Sequence, residues 1–114
     1  MYVKCCLVKY WWVLLIGVVV KGCLEDERVA LLKLKDALNH PNGSSLSSWQ
    51  PHGHGDCCTW ERVECDNSTK RVTHLFLDYI RPYELQWSLD ASSFLPFEDL
   101  QYLDLSGNYL AGLI

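Results

Sequence analysis

Between residues 52 and 65 the chain gathers side chains that can do chemistry: His52, His54, Asp56, Cys57, Cys58 and Cys65. Histidine and cysteine are the usual ligands of zinc. A cysteine or serine near histidine and aspartate can also act as an activated nucleophile. The spacing speaks against both. Adjacent cysteines do not form the Cys-x2-Cys knuckle that lets two thiolates grip one ion. No Gly-x-Ser-x-Gly elbow or family-specific cysteine signature accompanies the histidines. Histidines flanked by glycine read most simply as solvated loop residues. No catalytic residue, metal ligand or cofactor is therefore expected, and the cysteines read as a structural framework.

The rest of the chain shows why those cysteines would be oxidised. Met1 to Gly22 has the form of a secretory signal, with Lys4 and Lys9 ahead of an uncharged apolar run from Trp11 to Val20. That run is well short of the roughly 20 apolar residues a bilayer-spanning helix needs. Val20 and Gly22 are small enough for positions −3 and −1 of a cleavage site, which makes Cys23 the new terminus. Cys5 and Cys6 leave with the signal, and Cys23, Cys57, Cys58 and Cys65 remain of the six. An exported chain meets an oxidising compartment, where cysteines pair. A ring between neighbours is strained, so Cys57 and Cys58 should take different partners. Two pairings satisfy this: Cys23–Cys57 with Cys58–Cys65, or Cys23–Cys58 with Cys57–Cys65. The first is favoured because neither loop nests inside the other.

Charge narrows the partners. The chain has a formal net charge of −4. Three of its ten basic residues precede Cys23 and all fourteen acidic ones follow it, so the mature part has seven basic against fourteen acidic residues, a net −7. Nucleic-acid phosphates need Lys/Arg neutralisation, and anionic membrane surfaces attract basic segments. Neither partner suits this chain.

Three local patterns must position the cysteines. Glu25, Asp26 and Glu27 place negative charge at the positive end of a helix dipole, with Lys33 and Lys35 further along. Leu31, Leu34 and Leu38 recur at helical spacing, flanked by Leu32. Pro41 forbids continuation, so a helix of about 13 residues ending near Asn39 is expected. Ser44 to Gly55 is a loop whose one large apolar residue, Trp49, reads as a plug for a small core. Asn42-Gly43-Ser44 and Asn67-Ser68-Thr69 are N-glycosylation sequons in expected loops.

The third pattern is a repeat. Val72 to Leu77 alternates like a strand. Its spacing returns at Leu100-Gln101-Tyr102-Leu103-Asp104-Leu105-Ser106-Gly107-Asn108-Tyr109-Leu110, which matches Leu-x-x-Leu-x-Leu-x-x-Asn-x-Leu at every defining position. In this pattern Leu100, Leu103, Leu105 and Leu110 build the core of a coil, and Asn108 turns the chain by bonding the backbone. His74, Phe76, Tyr102, Asp104 and Ser106 then face out on the concave side as candidate binding residues. Aligning Val72 with Leu100 puts Ile80 where Asn108 stands, so the first coil lacks the asparagine. Phe94, Leu95, Pro96 and Phe97 should line the convex side, and Trp87 is assigned a covering role.

These pieces together resemble the amino-terminal cap and first repeat of plant extracellular leucine-rich-repeat proteins, chiefly receptor-like proteins and receptor kinases. The resemblance rests on Cys23, Ala30-Leu31-Leu32 with Lys35, Leu46-Ser47-Ser48-Trp49, Cys57-Cys58-Thr59-Trp60, Val63-Glu64-Cys65 and the repeats. Arg62 stands where such caps often carry glycine. The resemblance implies an α+β fold: a disulfide-stapled cap over 23–66, one amphipathic helix plus short strands, leading into a solenoid whose first, atypical and second, incomplete repeats occupy 67–114. It supports the sequential disulfide pairing and a cap that shields the end of the solenoid. It implies a non-catalytic extracellular protein, at the plasma membrane in full-length form, that recognises a peptide, glycan or protein partner, with a co-receptor. A membrane would be met only through the signal or a carboxy-terminal span. A secreted inhibitor of cell-wall hydrolases and a small stand-alone modulator of larger receptors are the alternatives. One and a half repeats are fewer than the roughly three a solenoid needs, so the chain is expected to be part of a longer product.

Overall fold

The computed structural model describes residues 22–51, 56–82 and 84–114; the expected signal segment, His52 and His54 lie outside them. Helix α1 spans Glu25–Asn39. Its stripe of Leu31, Leu34 and Leu38 is completely or almost completely buried. Asn39 finishes the helix: its Nδ2 donates to the Lys35 and Ser45 carbonyls, and its Oδ1 accepts the Ser45 N–H at 2.7 Å. Pro41 cannot extend the ladder beyond that point. Lys33 and Lys35 do not reach the last turn, which holds no basic residue, and Lys35 Nζ donates instead to the Trp49 carbonyl at 2.8 Å. Glu27, one of the three acidic residues at the helix start, is fully buried.

Among the described residues five short strands follow: β1 (Val63–Cys65), β2 (Val72–Phe76), β3 (Trp87–Leu89), β4 (Tyr102–Asp104) and β5 (Leu110–Leu113). Strand β2 lies between β1, which is antiparallel to it, and β4, which is parallel. The β2–β4 register pairs His74 with Tyr102 and Phe76 with Asp104, the same 28-residue offset that aligns the two sequence copies. Strands β3 and β5 form a second parallel pair. Two successive coils of chain thus lie side by side, with α1 and β1 against the first.

Trp49 is the plug its position suggests. It is fully buried, its Nε1 donates to the Glu61 carbonyl at 2.8 Å, and its ring stacks on Trp60 at 5.7 Å between centroids. Stacked pairs of this kind add about 0.5–1.5 kcal/mol beyond area burial. Val72, Leu75 and Leu77 of the first coil are fully buried, and Leu100, Leu103, Leu105 and Leu110 of the second pack against that core while only partly covered. The convex side departs from expectation. Phe97 is buried, but Leu95 is 77% exposed, because it follows the 3₁₀ turn Ala91–Phe94 and that turn aims it outward. Trp87 does cover: its Nε1 donates to the Asn108 carbonyl at 2.7 Å, and the Arg81 guanidinium lies 4.7 Å from its ring centroid.

Asn108 joins the coils. Its buried Oδ1 accepts the Ile80 and Arg81 N–H groups at 2.9 and 2.8 Å. Its Nδ2 donates to the Leu77 carbonyl of the first coil and the Leu105 carbonyl of the second. The missing asparagine at Ile80 is thereby answered from the next coil. Leaving a buried polar group unpaired costs about 1–3 kcal/mol, so Asn108→Ala should destabilise the disulfide-intact chain by on the order of 3 kcal/mol or more. Asn108→Asp, which keeps the acceptor and loses the donors, should fall between Ala and wild type. Urea unfolding at constant m-value measures both, and an alanine variant within 0.5 kcal/mol (roughly the scatter of neutral surface changes) would contradict this role.

Candidate recognition face and the cap behind it

Alternation along β2 turns His74 and Phe76 to the face opposite buried Leu75. The parallel register then brings Tyr102 beside His74 and Asp104 beside Phe76. The three rings form one cluster, with centroids 6.0 Å apart for His74–Phe76, 6.0 Å for His74–Tyr102 and 5.3 Å for Phe76–Tyr102. Tyr102 is nearly half exposed. Asp104 borders the cluster with its carboxylate already engaged: Oδ1 accepts the Ser106 hydroxyl at 2.6 Å and the Ser106 N–H at 2.9 Å. Those two bonds hold the Asp104 carboxyl below its ordinary pKa, so it stays ionised at neutral pH. Of the five candidate face residues, four converge and Ser106 positions one of them.

Two contributors escaped the sequence reading. Glu64 on β1 lies opposite His74 and is exposed, which puts a second carboxylate on the border. Arg62 has φ 70°, a left-handed conformation in which a side chain is uncommon. From there its Nη1 donates to the Phe76 carbonyl at 3.0 Å and the Asp78 carbonyl at 2.9 Å, and meets Asp78 Oδ1 at 3.2 Å. The position that often carries glycine thus supports the end of β2. An arginine in a glycine position was the only signal available for it.

Behind the face, the cysteines form Cys23–Cys57 and Cys58–Cys65 disulfides. Cys23, Asp56 and Cys57 place donor atoms within 4.8 Å of one another. Both sulfurs are consumed by the bridge, however, and zinc needs thiolates. Asp56 Oδ1 accepts the Cys23 N–H at 2.8 Å and the Cys58 N–H at 2.9 Å, capping the 3₁₀ turn Cys57–Thr59. The carboxylate that looked like part of a reactive cluster holds the cap together. Two open grooves of about 370 and 300 Å³ run between α1 and residues 87–96, and they share no residue with the aromatic face.

Comparison with known proteins fits this arrangement. Residues 24–66 match the leucine rich repeat N-terminal domain. Over 101 residues the chain is 43% identical to Cuscuta receptor 1 of Solanum lycopersicum, covering 86% of this chain and 9% of that one. It is 34% identical over 110 residues to Receptor-like protein 45 of Arabidopsis thaliana, covering 89% of this chain and 12% of the relative. Receptor kinase-like protein Xa21 of Oryza sativa is 36% identical over 88 residues, 77% of this chain and 8% of its own. The chain carries the amino-terminal leucine-rich-repeat region of the plant receptor-like proteins. It spans about a tenth of the length of these relatives. Among the described residues no helix is long and apolar enough to cross a membrane.

Both sequon asparagines, Asn42 and Asn67, are exposed in turns. Asn67 sits in a turn organised by Asp66, whose Oδ1 accepts the Ser68 hydroxyl at 2.6 Å and the Ser68 and Thr69 N–H groups at 2.8 and 2.9 Å. The Ser68 hydroxyl is the largest of the influences that lower the Asp66 pKa to about 2. This depressed value makes the turn's contribution fully present above the ordinary 3.8 and lost as pH falls through about 2. The Ser68 amide resonance should therefore titrate with a midpoint near 2; a midpoint near 3.8 would show that the turn is not formed. Loop entropy makes a second expectation. Replacing both cysteines of Cys23–Cys57 by serine should cost about 3–4 kcal/mol, and the same change at Cys58–Cys65 about 2–3 kcal/mol, because the bridged separations are 34 and 7 residues. Denaturant unfolding gives the order, and a costlier short bridge would refute it.

Proposed function

We propose that this chain is the capped beginning of an extracellular recognition protein, one that reads a peptide, glycan or protein partner without catalysing a reaction. Residues 1–22 direct export, 23–66 form the cap, and 67–114 begin a repeat stack that continues in the longer protein. The cap shields one end of the stack from solvent. The sheet face bearing His74, Phe76, Tyr102, Asp104 and Ser106 supplies the first part of a concave binding surface, and Asn42 and Asn67 accept glycans. A co-receptor and a plasma-membrane location belong to the full-length form.

The observation that carries this reading is the aromatic cluster on an uncovered sheet face. Backbone pairing already joins β2 to β4, and the core is built from the opposite face, so the aromatic side chains are not needed to pack the fold. Tyr, Trp and Phe are enriched in the cores of protein interfaces, and Tyr is a frequent hot-spot residue. Similarity to proteins named as receptors supports the same conclusion.

The test uses the longer receptor that contains this segment, with its cognate ligand. Replacing Phe76 and Tyr102 together by alanine should weaken ligand binding about tenfold or more, equivalent to roughly 1.4 kcal/mol. Secretion and thermal midpoint should stay near those of the parent, because both rings lie outside the core. Leu95→Ala, on the convex side, is the control and should bind normally. Unchanged affinity in the double variant would remove this face from the binding surface.

A further inference from the structure

One buried charge has no part in recognition. Glu27 is the only fully buried acidic side chain among the described residues, and it reaches from the cap helix to the start of β2. Its Oε1 accepts the Val72 N–H at 2.9 Å, across 45 residues of sequence. Its Oε2 has no hydrogen-bond partner among the described residues and lies 3.7 Å from Arg71 Nη2. Arg71, which stands at the entry to β2, is shared: Nη2 is 2.9 Å from Glu98 Oε2, and Nε is 3.5 Å from Asp99 Oδ2. Glu98 and Asp99 come from the segment that leads into β4. One guanidinium thus serves a carboxylate from the cap helix and two from the second coil.

We propose that Glu27, set beside Arg71 and the Glu98 and Asp99 carboxylates that share it, is a proton-operated latch that holds the cap helix to β2 more tightly in mild acid than at neutral pH. The geometry provides the mechanism. An ionised Glu27 is stripped of water and faces two like charges across a single cation. A protonated Glu27 still accepts the Val72 N–H through its carbonyl oxygen, and the buried negative charge with its orphaned oxygen is removed. Arg71 is then left to the two solvent-facing carboxylates, Glu98 and Asp99. Burial accordingly raises the Glu27 pKa; the Val72 N–H and Arg71 pull it down, and Asp99 and Glu98 push it up. Among the described residues these are the charged groups that bear on it.

The direction follows from proton linkage. The folded chain holds the Glu27 proton at a pH where the unfolded chain, with an ordinary value of 4.5, has released it. Stability from this site is complete below about 4.5 and is lost as pH rises through the raised folded value. The turn aspartates Asp66, Asp90 and Asp104 have lowered values. Their stabilisation fades only in stronger acid, so the two effects occupy separate windows.

The latch is testable on the secreted, disulfide-intact chain by hydrogen exchange at the Val72 amide, corrected for the intrinsic rate. Protection should rise as pH falls from 7.5 to 4, towards a limit of about tenfold for each unit that separates the folded and unfolded pKa values. Glu27→Gln keeps the acceptor for Val72 and should remove this pH dependence. Equal protection at the two pH values in the wild type, or the same rise in the variant, would overturn the proposal. Should the variant fail to fold, the carboxyl ¹³C resonance of Glu27 in the wild type reports its midpoint directly, and a midpoint at or below 4.5 would overturn it equally. Glu98→Gln with Asp99→Asn, both at exposed positions, should lower that midpoint, and an unmoved midpoint would show that the outer carboxylates take no part.

Discussion

Parallel strands from successive coils leave a seam at each turn, where backbone N–H and C=O groups point inward without a ladder partner. Buried groups of that kind must be satisfied. Asn108 does this for both coils with one side chain, accepting from Ile80 and Arg81 and donating to Leu77 and Leu105. An amide is suited to the task because it offers an acceptor and donors within one plane. The spacing of β2 and β4 depends on this bond set, and so does the face they share. Trp87 extends the seam by donating to the Asn108 carbonyl.

The other side of the first coil poses a harder problem, since among the described residues no parallel strand pairs β2 there. The chain meets it with layers of different chemistry. Helix α1 covers apolar surface with Leu31, Leu34 and Leu38, while Trp49 and Trp60 fill the space beside it. Strand β1 runs antiparallel to β2 and so closes the sheet edge that an earlier coil would have paired. Glu27 satisfies the Val72 N–H at the start of that sheet. Two disulfides and the Asp56 carboxylate then tie the helix start to β1. The cysteines and aspartate that look like a reactive cluster in sequence are engaged here in bridges and backbone hydrogen bonds.

The aromatic face is a by-product of the same seam. Once the coils are held at a 28-residue register, the outward residues of β2 and β4 must meet in pairs. His74, Phe76 and Tyr102 therefore cluster without any added device, and Arg62 steadies the end of β2 from beneath. Asp104 is held ionised by Ser106, so charge on the border persists well into acid.

What the sequence determined by itself is whatever depends on local period and covalent reach. The leucines at helical spacing, the repeat with its asparagine, the cysteine separations and the stop at Pro41 each state their consequence within a few residues. Tertiary structure alone decided the fate of the polar groups whose partners are far away. Glu27 lies in an acidic triplet that looks solvated, and only the approach of Val72 and Arg71 makes it a buried acceptor. Asp56 becomes a cap because Cys23 is brought to it by a bridge. Arg62 becomes a support because β2 ends beside it, and Leu95 turns outward because a 3₁₀ turn precedes it. Periodicity encodes which side of an element is apolar; it carries no record of which distant backbone group will need a hydrogen bond.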